Sequence, residues 1–242
     1  MKKVYILRTK KNKFINENFL KAFKGFNERY FEIEFVYKNQ ISSIVFDENN
    51  ILIAWIPVLQ KIFKAYNIKP LNLEIPLNCY PFLKRAYKVI TMKEVYKEIS
   101  YNPPFFIKPY DKHKLFNGVK VNSLVDLIPL KNIKSNEKII YSEVVNIISE
   151  YRFFILNNEI IGCSYYKGDS LKFPNIEFVK EILRNIQHYP IAFSIDIWIK
   201  EDGKNILIET NDSFALGAYN LDYFSYSKII EERWYDLFIN KK

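Results

Sequence analysis

Three oxygen-bearing side chains late in the chain have a spacing that could bind a metal ion. In NILIETN, at residues 205–211, Glu209 and Asn211 share one face of a β-strand, because side chains alternate between the faces of a strand. In IAFSIDIWI, at residues 191–199, Asp196 lies on the face opposite to the isoleucines. A short turn joins the two segments, so we expect a hairpin on which these side chains meet. Two carboxylates and a carboxamide oxygen are ligands suited to Mg²⁺.

An ordinary polar strand face explains the same spacing, so the metal site needs independent support. The segment FFIKPYDKHKLFNG, at residues 105–118, supplies a second feature. Lys108 ends an apolar strand there, and a basic loop follows it. The lysine ammonium is a compact cation for phosphate oxygens, so this arrangement suits a polyphosphate, and a solvated hairpin tip is the alternative. The glycine spacing of a Walker A loop is absent.

The hydrophobic pattern predicts the elements that would position these groups. Strands at 3–8, 31–37 and 51–55, with amphipathic helices at 16–30 and 56–67, predict a small α/β unit with a parallel pair. The rest of the chain predicts helices at 91–99, 175–187 and 223–238, and strands at 105–109, 118–121, 138–145, 150–156, 159–167, 191–199 and 205–211. The predicted fold class is therefore α/β at the start and α+β after it.

The order of the short motifs resembles that of the ATP-grasp family. Its enzymes carry a strand-end lysine, a mobile loop over the phosphates, a hinge strand for adenine and a late acidic pair with an asparagine for Mg²⁺. The chain has FIKP, the loop at 110–118, YSEVV, SEYRFF, Asp196 and ETN in that order. The tail ETNDSFALGAYNLDYFSYSKIIEERW is similar to that of a compact clade of bacterial and phage members, and so is YYKGD at 165–169. The resemblance covers roughly residues 80–238.

The resemblance implies a nucleotide-binding role for several residues. Lys108, Lys114 and Gly118 would contact or cover the phosphates, while the Glu143 side chain and the Val145 backbone would bind the adenine edge. The implied nucleotide-binding set is Arg85, Lys108, Lys114, Gly118, Glu143, Val144, Val145, Glu150 and Arg152.

The resemblance also implies catalytic and metal-binding roles. Glu150 would bind the ribose, and Arg152 would face the phosphates or the reacting carboxylate. The implied catalytic residues are Arg152, Lys108 and Lys114, and the implied metal ligands are Asp196, Glu209 and Asn211, with Glu209 as the bridge. ATP and Mg²⁺ are the implied cofactors.

Some positions depart from the family pattern without removing a ligand. The loop that would close over the phosphates, which includes Asn117, holds a single glycine. Thr210 and Ser213 replace the more usual valine and glycine of the tail motif, and Lys167 replaces an arginine. Arg233 in the closing helix is either functional or part of a packed helix end.

The implied fold is an ATP-grasp fold with a pre-ATP-grasp α/β unit at 1–80 and an ATP-grasp domain of two α+β subdomains at 81–242. The implied activity is that of an ATP-dependent carboxylate–amine or carboxylate–thiol ligase acting through an acyl phosphate. The carboxylate and amine substrates are unknown, and a peptide or protein is one candidate. A nucleotide-binding ATP-grasp module without catalysis is an alternative.

The composition limits which classes of protein fit this chain. The chain of 242 residues has 49% hydrophobic and 17% aromatic residues, which is ample for a packed core. Its net charge of +9 would suit a nucleic-acid-binding protein, but the lysines are scattered along the chain, which disfavours nucleic acid as a partner. Neither a membrane-length apolar stretch nor a signal peptide is recognised, and the two cysteines stand alone. We therefore expect a cytoplasmic protein, either a monomer or a homodimer.

Overall fold

The N-terminal part of the chain forms a three-stranded parallel sheet with the strand order β2-β1-β3. The computed structural model describes residues 2–9, 14–70, 75–110 and 115–240. The elements of this first sheet are β1 (Lys3–Leu7), α1 (Glu17–Glu28), β2 (Glu32–Val36), β3 (Asn50–Ile53) and α2 (Ile56–Ala65). The α/β opening with a parallel pair, predicted from the sequence, is confirmed.

The middle of the chain forms an antiparallel sheet with the order β4-β7-β5-β6. A 3-10 helix at Leu77–Leu83 precedes it, and another lies at Leu124–Leu130. The elements are β4 (Tyr87–Thr91), α3 (Met92–Glu98), β5 (Phe105–Pro109), β6 (Val119–Val121) and β7 (Lys138–Glu143). Strand β4 is absent from the sequence prediction because it has no run of apolar residues, and Lys88 and Val89 are exposed.

The last part of the chain forms an antiparallel sheet with the order β11-β10-β8-β9. The predicted turn between β8 and β9 is formed by Asn157 and Asn158, which have φ of 51° and 61°, as a tight hairpin requires. A 3-10 turn at Ser213–Ala215 follows the sheet. The elements are β8 (Ile147–Leu156), β9 (Glu159–Gly168), α4 (Ile176–Asn185), β10 (Ala192–Lys200), β11 (Asn205–Asp212) and α5 (Tyr223–Ile239).

The core is shared between parts of the chain that are distant in sequence. The N-terminal sheet packs in one cluster with α5 and with residues such as Phe154 and Ala192 of the third sheet. The opposite face of the third sheet packs against α4, and the isoleucines 195, 197 and 199 lie there as predicted. Helix α3 covers the middle sheet. The division of the chain at residues 80 and 81 stays a prediction. None of the helices in the described part of the chain is both long and apolar enough to cross a membrane.

Gly25 lies where α1 packs closely against the start of α5. A Cβ at this position would lie 1.9 Å from the carbonyl oxygen of Tyr223. Replacing Gly25 by alanine is therefore expected to lower the free energy of unfolding by about 1–3 kcal/mol, because the helices must move apart. Chemical denaturation measures this change. Lys24→Ala, at the exposed neighbouring position, is the matched control and should change stability by less than about 0.5 kcal/mol. Equal stability of the two variants would contradict this packing.

Candidate active site

The hairpin of β10 and β11 brings the three predicted metal ligands to one surface. Asp196 pairs in register with Glu209 on β11 and with Arg152 on β8, which makes a row across three strands. A β-bulge follows, because Ile197 pairs with Leu207 and leaves Ile208 as the extra residue. Bulges bend a strand and re-aim its side chains, so this one sets the direction of the carboxylate that follows it.

Hydrogen bonds join the side chains of this row. Nε and Nη2 of Arg152 donate to the two carboxylate oxygens of Asp196 at 2.8 and 2.6 Å. Nδ2 of Asn211 donates to Oε1 of Glu209 at 3.2 Å and lies 3.4 Å from Oδ2 of Asp196. Asp196 is only 4% exposed. An ordinary solvated strand face does not account for a buried carboxylate that is held by two hydrogen bonds. Asp196 therefore has a role either in ligand binding or in the packing of the fold.

Lys108 connects this row to the middle sheet. It lies in β5, and its Nζ donates to Oε2 of Glu209 at 2.7 Å, although the two residues are 101 positions apart in sequence. The strand-end lysine and the predicted metal ligands therefore face each other across the gap between two sheets. A polyphosphate with its metal ions would lie between the lysine and the carboxylates only after the direct contact between Lys108 and Glu209 opens.

The charges of the row stabilise one another. Burial acts to raise the pKa of Glu209, but the ammonium of Lys108 and the amide of Asn211 outweigh it, and the pKa is lowered. Burial raises the pKa of Asp196 against the attraction of Arg152. The pKa of Arg152 is itself raised, because its pairing with Asp196 outweighs burial. The bidentate hydrogen bonds between Arg152 and Asp196 keep both groups charged near neutral pH.

Arg85 is a half-buried cation beside the row. Its Nη1 and Nη2 donate to the carbonyl oxygens of Leu207 and Ile208 at 3.3 and 3.5 Å, and its guanidinium lies 5.6 Å from the centre of the Trp198 ring. Burial lowers its pKa to about 10. Its Nε is buried and has no hydrogen-bond partner among the described residues. Buried donors without partners are rare, which makes the Arg85 guanidinium a candidate anion-binding group.

The predicted adenine- and ribose-binding residues lie at the junction of the two sheets. Residues 144–146 connect β7 of the middle sheet directly to β8 of the third sheet. Glu143 is exposed at the end of β7, and Val144 and Val145 are half-buried. Glu150 pairs in register with Trp198, and burial raises the pKa of its carboxyl.

The predicted phosphate loop is only partly within the described residues. Lys114 lies outside them. Asn117 lines the same cavity as Arg152 and Glu209. Gly118 lies against the ring of Phe106, where an added Cβ would come within 2.3 Å of a ring carbon, so its small size has a packing reason.

Two tyrosines beside Arg152 were not predicted as site residues. The guanidinium of Arg152 lies 4.9 Å from the centre of the Tyr219 ring, and Tyr166 meets that ring edge-on at 4.9 Å. Burial raises the pKa of Tyr219 to about 12. The sequence signal was the position of GAYNLD directly after the metal ligands, which left a substrate-side role and a structural turn open.

Asp212, which follows the predicted ligands, has a structural partner. Its two carboxylate oxygens accept from Nε and Nη2 of Arg233 at 2.8 and 2.5 Å, and both residues are buried. Arg233 also pairs with Asp236. The ion pair joins the end of β11 to α5, which favours the packed-helix interpretation of Arg233. Thr210, one of the departures from the family motif, is buried and lies 3.1 Å from the hydroxyl of Tyr189.

A comparison with sequence models of protein families shows to which family the chain belongs. The sequence model of the ATP-grasp domain, R2K clade family 2, matches residues 82–229, which is more than half of the chain. The chain belongs to the ATP-grasp superfamily. A search of curated proteins found no match. The predicted family and the predicted ATP-grasp fold are thus confirmed.

Solved structures with the ATP-grasp fold resemble the whole chain. The ATP-grasp ligase PsnB, complexed with a minimal precursor, has a TM-score of 0.56 and 12% identity, covering 95% of this chain and 98% of that one. N5-carboxyaminoimidazole synthase from Aspergillus clavatus, in complex with ADP and 5-aminoimidazole ribonucleotide, has a TM-score of 0.55 and 11% identity. The match covers 98% of this chain and 79% of that one. The macrocyclase MdnC from Microcystis aeruginosa, bound with the precursor peptide MdnA, has a TM-score of 0.53 and 11% identity. The match covers 98% of this chain and 99% of that one. These likenesses establish the fold.

Proposed function

We propose that the protein is an ATP-dependent ligase that joins a carboxylate to an amine through an acyl phosphate. The contact between Lys108 and Glu209 supports this most directly, because it brings a phosphate-binding cation and a metal-binding carboxylate together between two sheets. Membership of the ATP-grasp superfamily supports ATP as the nucleotide. Arg152 and Asn211 donate hydrogen bonds to the carboxylates of the same row.

The residues present fit a bound nucleotide. The guanidinium of Arg85, whose Nε has no hydrogen-bond partner within the described part of the chain, and the ammonium of Lys108 would hold phosphate oxygens. The junction at Glu143, Val144 and Val145 would hold the adenine, and Glu150 would hold the ribose hydroxyls. Lys114 and Gly118 remain proposed members of the covering loop.

The same row fits Mg²⁺ in part. No three His, Cys, Asp or Glu side chains form a metal-binding group within the described ranges, and the proposed ligand set combines two carboxylates with one carboxamide. Nδ2 of Asn211 donates to Oε1 of Glu209, so a rotation of the amide group would bring its oxygen beside that carboxylate, while both oxygens of Asp196 are already held by Arg152. We therefore assign the first ligand positions to Glu209 and Asn211, with Asp196 as a shared ligand. Bound Mg²⁺ would neutralise phosphate charge during transfer.

The chain's own residues then orient the reaction. A carboxylate oxygen of one substrate attacks the γ-phosphorus of ATP, ADP leaves, and an acyl phosphate forms. An amine attacks the acyl carbon, and inorganic phosphate leaves. Phosphoryl transfer depends mainly on positioning and charge neutralisation, which Lys108, Arg85 and Arg152 provide.

A peptide or a protein is one candidate substrate of the proposed ligase. PsnB is described in complex with its minimal precursor, and MdnC is described in complex with its precursor peptide, so at least one protein with this fold binds a peptide. A peptide substrate is therefore one form of the proposed ligase activity. The cytoplasmic location and the monomeric or dimeric state stay predictions.

Replacing Lys108 by alanine tests the nucleotide site. The variant is expected to bind an ATP analogue with Mg²⁺ about ten- to a hundredfold more weakly, because a charge-assisted hydrogen bond to phosphate is lost. Isothermal titration calorimetry measures the dissociation constant. Lys120→Ala, which changes an exposed lysine on the neighbouring strand β6, is the matched control and should bind normally. Equal affinity of both variants would contradict the assignment of Lys108.

A further inference from the structure

Ser194 of β10 carries a fully buried hydroxyl next to the row of Arg152, Asp196 and Glu209. The residue is 0% exposed, and its Oγ has no hydrogen-bond partner among the described residues. Buried polar groups are nearly always hydrogen-bonded, so this hydroxyl needs a specific explanation. Ser194 lies two positions before Asp196 on the same strand, so the two side chains point to the same face of the sheet.

The strand register shows which side chain can reach this hydroxyl. Ser194 pairs with Asn211 on β11 and with Phe154 on β8. Paired residues of antiparallel strands have their side chains on the same face, with Cβ atoms about 4.5–5.5 Å apart, so an asparagine amide can reach a serine hydroxyl. The side chain of Phe154 has no polar group. Asn211 is therefore the paired residue that can form a hydrogen bond with Oγ of Ser194.

The amide of Asn211 is turned with its nitrogen toward the carboxylates. Nδ2 donates to Oε1 of Glu209 at 3.2 Å and lies 3.4 Å from Oδ2 of Asp196. N–H···O hydrogen bonds usually span about 2.7–3.2 Å, so both contacts are long and rotation of the amide loses little. The amide nitrogen is a donor, and Mg²⁺ binds oxygen, so Asn211 becomes a metal ligand only in the rotated orientation.

Rotation of the amide creates the need for another hydrogen-bond acceptor. A half-turn exchanges the positions of the amide oxygen and nitrogen, so Nδ2 leaves the two carboxylates. Asn211 is half-buried, and a donor left unpaired in such a place would disfavour the metal-bound form. A serine hydroxyl has two lone pairs that can accept a hydrogen bond. The hydroxyl of Ser194 and the rotated amide of Asn211 thus satisfy one another.

We infer that Ser194 is a positioning residue for the metal site, whose Oγ accepts a hydrogen bond from Nδ2 of Asn211 and holds the amide oxygen toward the metal ion. The inference rests on the proposed function, because it concerns the metal-bound form of that site. One rotation pairs the buried hydroxyl and also frees Oε1 of Glu209 for the metal ion. Loss of a group that orients a metal ligand typically weakens metal affinity about 10- to 100-fold.

The contribution of Mg²⁺ to nucleotide affinity tests the inference without turnover. Isothermal titration calorimetry gives the dissociation constant of a non-hydrolysable ATP analogue with saturating Mg²⁺ and, separately, with EDTA. The ratio of the two constants is the gain from Mg²⁺. Ser194→Ala should reduce this gain about tenfold and leave the affinity in EDTA unchanged. Ser194→Cys, which is similar in shape and whose sulfur accepts only weakly, should show a similar loss.

Ser164→Ala is the matched control for the loss of a buried hydroxyl. Ser164 of β9 is 1% exposed, and its Oγ also lacks a partner among the described residues, but it pairs with Arg152 and not with Asn211. Its replacement should leave the gain from Mg²⁺ unchanged within about twofold.

A double-mutant cycle adds a readout that general damage to the sheet cannot reproduce. In the Asn211→Ala background, Ser194→Ala should have no further effect on the gain from Mg²⁺, because the amide that Ser194 positions is gone. In the unmodified background the same substitution should keep its full effect.

The outcomes separate the inference from the function on which it rests. A gain that falls in Ser194→Ala, persists in Ser164→Ala and is insensitive to Ser194→Ala without Asn211 supports the inference. An unchanged gain in Ser194→Ala overturns the inference alone. Equal losses in the two serine variants, or a full effect of Ser194→Ala in the Asn211→Ala background, also overturn it. Nucleotide binding that is absent from the unmodified protein, or that Mg²⁺ does not strengthen, contradicts the proposed function itself.

Discussion

Replacing Glu209 by glutamine is expected to lower Mg²⁺-dependent ATP turnover roughly a thousandfold. The substitution removes the negative charge that would bridge the metal ions and that pairs with Lys108. Loss of such a ligand costs several kcal/mol of transition-state stabilisation. Release of ADP from ATP, compared at saturating Mg²⁺, measures the effect.

The same variant should remain folded. The side chain of Glu209 is 36% exposed, so its loss should change the free energy of unfolding by less than about 1 kcal/mol. Asp202→Asn is the matched control, because Asp202 lies in the turn of the same hairpin and pairs only with Lys204 among the described residues. Normal turnover by Glu209→Gln would show that Glu209 is not a metal ligand.

Replacing Arg233 by alanine is expected to lower the free energy of unfolding by about 3–5 kcal/mol. The substitution leaves the buried carboxylate of Asp212 without its bidentate partner. Breaking one side of a buried ion pair is strongly destabilising because the remaining charge stays in a poorly solvated site. Urea denaturation at constant protein concentration measures the shift of the midpoint.

An exposed residue of the same helix provides the comparison for this effect. Lys228→Ala changes a solvent-facing position of α5 and should alter stability by less than about 0.5 kcal/mol. The Arg233 variant should also retain its affinity for nucleotide under conditions in which it is folded. Loss of nucleotide binding by folded Arg233→Ala would instead assign Arg233 to the active site.

The sequence predicted the parts of the site that depend on local patterns. Alternation along β10 and β11 placed Asp196 on one face, and it placed Glu209 and Asn211 together. The short turn sets the register that pairs Ile197 with Leu207, but only the bulge at Ile208 brings Glu209 opposite Asp196, and the sequence pattern did not predict that bulge. The capping box of Thr91 and Glu94 at the start of α3 was predictable because it depends on a local pattern.

The rest depends on contacts between segments that are distant in sequence. Nothing within β5 specifies that Lys108 meets Glu209, since their approach depends on the packing of two sheets. Asp212 has the same residue type as a metal ligand, and only the position of α5 shows that it pairs with Arg233. The cavity beside Arg152 and Glu209 needs the N-terminal sheet, α5 and the turn at Ser213 together, so no single motif indicates it.

A crystal structure with Mn²⁺ and a non-hydrolysable ATP analogue tests the central claim most directly. Mn²⁺ stands in for Mg²⁺ and is located by its anomalous scattering. The proposed site predicts triphosphate oxygens beside the ammonium of Lys108 and a metal ion bound by oxygens of Glu209 and Asn211, at about 2.0–2.3 Å. A nucleotide bound elsewhere, or a metal ion that contacts neither Glu209 nor Asn211, would contradict the proposed site.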